Sequence, residues 1–272
     1  KWANIQSIVR TSSLSILALQ ETHITEQDRL VIESHFRKLK LFVNPDRDSS
    51  SNRNGVAFVV NIDKVRWDEA SHTVIEPGRA SLLELPWHNG NTINILNVYA
   101  PSGDDRLNEA FWKTLASRWH GRNRPPKVHI LLGDFNVTEA TNDRLPLKRP
   151  PKGPVEALDA FKTRHSLLDG WRQLHGADGS NYTFSCRNRD GSRSWSRIDR
   201  IYCEKPLLDQ SCEWQTTYVG ALTDHYLVSA VFEPENTPFV GKGRSTAPAF
   251  ITDFPDAQKL LVKRTIQLDE EI

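Results

Sequence analysis

The stretch Ile130-Leu131-Leu132-Gly133-Asp134-Phe135-Asn136 runs apolar for three residues and then turns abruptly polar. Such an apolar run predicts a strand buried on both faces. Period-two alternation at its end puts Asp134 and Asn136 on one face and Phe135 on the other. A carboxylate and an amide side by side can hold and polarise a water, while Gly133 permits close approach of backbone or ligand. An Asx-type turn capping the strand is the purely structural alternative.

Working outward, other segments share this design. Ala18-Leu19-Gln20-Glu21 ends an apolar strand in a carboxylate, a hard oxygen ligand of the kind Mg²⁺ or Mn²⁺ accepts. In the segment from Ile93 to Pro101, the proline stops the strand and leaves Tyr99 at its mouth, able to donate to a phosphate oxygen. Ser196-Arg197-Ile198-Asp199-Arg200-Ile201-Tyr202 and Thr223-Asp224-His225 act together. A working imidazole needs a carboxylate to fix its tautomer and orientation, and Asp199 on a neighbouring strand can supply it. Taken singly, each segment has a plainer reading: an exposed Glu, a half-buried Tyr, a surface His, an ion-paired Asp.

Many strands interrupted by few helices predict an α/β fold of two sheets packed face to face with helices outside. Strands are expected over 15–20, 55–61, 79–85, 92–99, 127–132, 182–186, 194–203, 214–219 and 226–232. Helices are expected over 2–12, 26–39, 104–119 and 155–165, with a Pro- and Lys-rich loop over 146–154. After residue 233, Gly241, Gly243, Pro248 and Pro255 break the pattern before an amphipathic stretch over 257–268. The organisation read from this is one domain over 1–233 and a linker over 234–272.

The absence of any apolar run of eighteen residues excludes a helical membrane span, and no secretory signal opens the chain. Cys186, Cys203 and Cys212 lack zinc-site spacing and predict free thiols. A net charge of +1 selects no partner, but residues 118–205 hold 17 Lys/Arg against 10 Asp/Glu. Clusters at 118–127, 144–152 and 187–200 are either a solvated face or a phosphate footprint. Asn188-Arg189-Asp190-Gly191 predicts a hairpin turn that projects Arg187, Arg189 and Arg193.

Glu21, Tyr-Ala-Pro at 99–101, Gly-Asp-Phe-Asn at 133–136, Arg-Ile-Asp-Arg-Ile at 197–201 and Thr-Asp-His at 223–225, in that order, resemble the endonuclease/exonuclease/phosphatase superfamily over roughly 1–233. Leu-Pro-Trp-His at 85–88, Asp-Arg-Leu-Pro-Leu at 143–147 and Asp-Gly-Trp-Arg at 169–172 make the chain similar to endonuclease domains of non-LTR retrotransposons of the Tad type. The resemblance implies a four-layer α/β sandwich of two mostly antiparallel sheets flanked by helices. It implies a metal-dependent phosphodiesterase acting on DNA, with Mg²⁺ or Mn²⁺ held by Glu21 and supported by Asp224. Asp134 is expected to orient or deprotonate the attacking water, Asn136 to hold water or phosphate, and Tyr99 to bind phosphate. His225, fixed by Asp199, is expected at the non-bridging oxygen; the residues leave open whether Asp134 or His225 is the base. Arg144, Thr183 and Thr223 match DNA-facing positions, joined by the hairpin's Arg187, Arg189 and Arg193. A nuclear location and a downstream reverse transcriptase follow from the same likeness.

Two other functions fit these residues: an abasic-site repair endonuclease, and a folded nucleic-acid-binding remnant without turnover. The second arises because the superfamily's first strand, with its Asn beside the metal, has no counterpart before Ser15. With no Met and a start at Lys1, the chain reads as a piece of a longer product lacking one interior strand.

Overall fold

A computed structural model describes residues 1–46, 54–176, 179–188, 190–220 and 223–233. The expected linker over 234–272 and Arg189 lie outside the described residues. In chain order the elements are α1 (Trp2–Thr11), β1 (Ile16–Gln20), α2 (Glu26–His35), β2 (Leu39–Asn44), β3 (Val56–Asn61), β4 (Ser71–Glu76), β5 (Ala80–Pro86), β6 (Thr92–Tyr99), α3 (Asp105–Ser117) and β7 (Ile130–Asp134). There follow β8 (Arg144–Leu145), α4 (Lys152–His165), β9 (Leu167–Asp169), α5 (Gly170–His175), β10 (Phe184–Arg187), β11 (Arg193–Ser196), β12 (Asp199–Glu204), α6 (Lys205–Asp209), β13 (Ser211–Thr217) and β14 (Leu227–Phe232).

A six-stranded sheet in the order β4-β5-β6-β7-β12-β9 forms the central layer, antiparallel except where β6 meets β7. Its inner strands β5, β6, β7 and β12 are largely buried, and their residues alternate between two cores. Leu82, Leu96 and Leu131 join Trp112 of α3 and Phe161 of α4 on one side. Leu83, Ile95, Ile130 and Ile201 join Phe58 and Val60 of β3 and Trp214 of β13 on the other. The far face of the β1-β3-β2 sheet is covered by Ile5 and Val9 of α1 and Ile32 of α2. The layers are therefore helix, sheet, sheet, helix, as expected. Trp112 is fully buried and stacks on Phe135 with ring centroids 5.5 Å apart, so Trp112→Ala should cost ~3–5 kcal/mol.

Several boundaries moved for identifiable reasons. The helix expected over 26–39 stops at His35, and Leu39–Asn44 becomes β2, because alternate residues there insert into the core against β3. The loop expected over 146–154 surrenders its end to α4, where Pro154 falls in the first turn and lacks only an N–H that would be unpaired anyway. The strand read as continuous over 194–203 is two strands in different sheets. Between them Arg197 N–H bonds the Asp143 carbonyl and the Ile198 carbonyl accepts from Phe135 N–H, so the chain crosses from the β10-β11-β8 sheet to the central sheet. Among the described residues β1 pairs only with β3 and β14 only with β13, so both are edge strands. The three cysteines are free thiols.

Candidate active site

Three strands bring the polar ends together. In the pairing of β6 with β7, Tyr99 lies beside Asp134, and in that of β7 with β12, Asp134 lies beside Asp199. Tyr99, Asp134 and Asp199 thus form a row across the sheet at its polar end. The parallel β6–β7 contact is tight: a Cβ at Gly133, whose φ is +135°, would meet the Val98 carbonyl oxygen at 2.0 Å. Only glycine allows this approach.

β7 ends at Asp134, so Asn136 reaches it through a turn and not by strand alternation. Asn136 takes a left-handed φ of 49°, and its backbone N–H and its amide donate to the two Asp134 oxygens at 2.9 and 3.0 Å. The same amide donates to the Ala100 carbonyl at 2.9 Å, which ties the turn to the end of β6. Phe135 points the other way, fully buried, as the alternation required.

Asp199 is the hub of the second half of the site. Its carboxylate meets His225 Nδ1 at 2.9 and 3.1 Å and accepts from Thr183 Oγ1 at 2.7 Å. The Thr183 hydroxyl in turn accepts the N–H groups of Ile198 and Asp199 at 3.1 and 3.0 Å. Thr183 is fully buried, so the expectation that it faces DNA is corrected: its hydroxyl is used up in holding the start of β12. His225 is steadied by an isolated bridge to Phe184, whose ring lies 4.7 Å from the imidazole.

Glu21 follows the end of β1 with a left-handed φ of 49° and accepts a hydrogen bond from the Tyr99 hydroxyl. Its second carboxylate oxygen has no hydrogen bond among the described residues. An exposed carboxylate with one oxygen unengaged could serve as a ligand to a hard divalent cation. Asp134, Asp199 and His225 also place ligand atoms within 4.8 Å of one another. Asp224 is drawn to His225, 4.0 Å from Nε2, and no hydrogen bond or ion pair joins it to Glu21 among the described residues.

The electrostatics follow from burial and crowding. Burial first, then Asp199 and Glu21, hold the Asp134 carboxyl well above the usual carboxylate range, against the pull of His225 and Asn136 N–H. Burial opposes a charge on His225, but the hydrogen bond and charge of Asp199, with Asp134 and Asp224, outweigh it and raise the imidazole to about 9. Burial, then Glu21 and Asp134, raise the Tyr99 phenol.

The remaining expected residues divide. Arg187 and Arg193 lie on a β10–β11 hairpin, beyond which Asn188 N–H bonds the Ser192 carbonyl, and with Thr223 they line one cleft that also holds Asp224. Arg144 lies on β8, half-buried and paired in register with Ser196. The 187–200 cluster is only partly a surface, because Arg197 and Arg200 are buried. Arg197 grips Asp169 through two hydrogen bonds of 2.7 Å, and Arg200 sits 3.7 Å from Glu139 and 3.6 Å from Asp143. Sequence reasoning passed over Asn97 and Asn108. Asn97 donates to the Leu19 and Ala57 carbonyls at 3.1 Å each and accepts from Gln20 at 2.7 Å, which fixes β1, and so Glu21, relative to Tyr99. Asn108 donates to the Pro101 and Phe135 carbonyls at 3.0 and 2.9 Å, bracing the loops behind Tyr99 and Asp134. For Asn97 the signal was an amide inside an apolar segment, since such a group must find buried partners; Asn108, among charged residues, carried no such signal.

Residues 3–225 match the family described as Endonuclease/Exonuclease/phosphatase. A relative, the Transposon TX1 uncharacterized 149 kDa protein of Xenopus laevis, is 31% identical over 230 residues, which are 83% of this chain. The chain spans only 16% of the length of that relative. Among solved structures, the AP endonuclease LMAP from Leishmania major is similar with a TM-score of 0.66 at 16% identity, covering 85% of this chain and 82% of that one. The endonuclease domain of TRAS1, a telomere-specific non-LTR retrotransposon, is similar with a TM-score of 0.57 at 15% identity, covering 86% and 92%. With its order of motifs, its four layers and its polar strand ends, this chain belongs to the Endonuclease/Exonuclease/phosphatase family.

Proposed function

We propose that this chain is a divalent-metal-dependent phosphodiester hydrolase that nicks DNA as the endonuclease of a retroelement. The observation that carries the reading is the row Tyr99, Asp134, Asp199 with His225 locked on Asp199 and Glu21 beside Tyr99. Glu21 would hold Mg²⁺ or Mn²⁺, which when bound supplies Lewis-acid stabilisation of charge on the phosphate. Asp134 accepts the proton of the attacking water, and Asn136 keeps its carboxylate aimed. A carboxyl with a raised pKa is a stronger base than an ordinary one, which suits that task. His225, with Nδ1 committed to Asp199, presents Nε2 to the substrate. As an imidazolium it stabilises negative charge on a non-bridging oxygen, which favours Asp134 over His225 as the base. Thr183 and Asn97 are positioning residues. Asp224 is assigned to the His225 side and not to the metal.

The retroelement role is supported by the likeness to the transposon TX1 protein, and DNA as substrate by the exposed arginines of the β10–β11 hairpin. Fusion to a reverse transcriptase and a nuclear location are part of the same proposal. The test is nicking of supercoiled plasmid with Mg²⁺, beside a duplex carrying one abasic site. Conversion of intact plasmid to the open circle supports this reading. Cleavage of the abasic duplex alone would replace it with abasic-site repair, and salt-dependent binding without any cleavage would identify a remnant.

A further inference from the structure

We propose that Arg200 is a positioning residue for Asp134: its buried guanidinium holds the turn from Asp134 to Val137 from behind, on the face of β12 opposite to Asp199. The inference rests on the reading of Asp134 as the group that takes the proton of the attacking water, and adds what keeps that carboxylate in place.

The first observation is where the cation lies. Asp199 and Arg200 are consecutive in β12, so their side chains leave opposite faces of the strand. Asp199 turns to His225, while Arg200 turns to the core that holds Phe135 and Tyr202. There its Nη2 donates to the Val137 carbonyl at 2.8 Å and to the Arg197 carbonyl at 2.6 Å, and its guanidinium lies 5.8 Å from the centre of the Phe135 ring. Phe135 stands between Asp134 and Asn136, and the rings of Trp112 and Tyr202 pack on it at 5.5 and 5.0 Å. Asp134 therefore shifts only if Phe135 and Val137 shift with it.

The second observation is how incompletely this buried cation is satisfied. Arg200 is 1% exposed, and its Nε and Nη1 have no hydrogen-bond partner among the described residues. The carboxylates that balance its charge, Glu139 and Asp143, stand at 3.7 and 3.6 Å, beyond hydrogen-bond reach. Each of them has another cation: Lys162 on Glu139 and Arg172 on Asp143. A buried cation with unpaired donors is no better for stability than a well-packed apolar side chain of its size. The hydrogen bonds that Arg200 does complete go to the backbone behind Asp134 and before Asp199, so what it contributes is the placement of that backbone.

The test is Arg200→Met in the full chain, which removes the charge and leaves Lys162 on Glu139 and Arg172 on Asp143. The variant should melt cooperatively and bind uncut duplex in EDTA within about twofold of the parent, while single-turnover nicking falls about tenfold or more. The Phe135 and Asn136 amide N–H groups should exchange with solvent about tenfold faster or more, the factor for one lost buried hydrogen bond, with β5 and β6 unchanged. Added to Asp134→Asn, Arg200→Met should cost nothing further, because it acts through that carboxylate. A Lys ammonium keeps the charge but cannot lie flat on Phe135 and bond both carbonyls. Arg200→Lys is therefore read by the same criteria if the Met variant does not melt cooperatively. Nicking at the parent rate, or a loss that multiplies with that of Asp134→Asn, overturns the proposal. If the parent itself never nicks DNA, the hydrolase reading fails, and amide exchange alone decides the clamp: faster exchange at Phe135 and Asn136 upholds it and unchanged exchange overturns it.

Discussion

The Thr183 hydroxyl donates to Asp199 Oδ2 at 2.7 Å while accepting two backbone N–H groups at the entry to β12. One buried oxygen therefore fixes both the strand and the carboxylate that orients His225. Thr183→Val keeps the volume and removes all three bonds. Orphaning the buried donors costs ~1–3 kcal/mol, and turnover should fall at least about tenfold as Asp199 loosens. Thr183→Ser should restore both. Chemical denaturation and plasmid nicking measure the pair of effects, and a Val variant with native turnover would remove Thr183 from the positioning role.

Asp134→Asn and His225→Ala should each lower the nicking rate by about 10²-fold or more, as loss of a general base or a charge stabiliser does. Asp199→Asn combined with His225→Ala should cost little more than His225→Ala alone, because Asp199 acts through the imidazole. Single-turnover rates of the variants decide this, and simple multiplication of the two losses would show that Asp199 works independently.

Chelation with EDTA should abolish nicking, and Mg²⁺ or Mn²⁺ should restore it. Glu21→Gln should raise the metal concentration needed for half-maximal rate by roughly tenfold or more, since a neutral amide is a weaker ligand than a carboxylate for these cations. Full activity in EDTA would exclude the proposed metal role.

Replacing Arg187 and Arg193 by Gln should flatten the plot of log affinity against log salt by up to ~0.9 for each phosphate that is no longer neutralised. Fluorescence anisotropy at several salt concentrations reads the slope directly. An unchanged slope means that these side chains are a solvated face.

His165 is 2% exposed, and burial, with Arg164, Lys127 and His129 nearby, lowers its pKa to about 4. Its Nδ1 accepts from Val128 N–H at 3.3 Å, so the folded protein holds it neutral. Below pH 6.5 the unfolded chain binds a proton that the folded chain refuses, so this contribution to stability falls between pH 6.5 and 4. At pH 5 the loss is about 2 kcal/mol. Melting temperature should drop from pH 7 to pH 5, and less so in His165→Phe if the packing tolerates the ring. A flat profile over that window would contradict the assignment.

Apolar runs that end in polar residues were legible because strand burial and strand termination are local properties. Glu21, Tyr99 and Asp134 each stand where such a run stops, Asp199 opens the strand that follows, and Thr-Asp-His at 223–225 completed an order that resembles one superfamily. The four layers followed from many strands and few helices. What the sequence could not contain was register. That Asp134 lies between Tyr99 and Asp199 depends on pairing across 35 and 65 residues of chain, set by the fit of Gly133 against Val98 and of two cores on either face of the sheet. The same tertiary packing assigned charge. Arg187 and Arg193 stay at the surface while Arg197 and Arg200, in the same basic run, are buried against Asp169, Glu139 and Asp143. A charge run looks uniform along the chain, and only the partners brought from elsewhere separate a structural arginine from one left facing solvent.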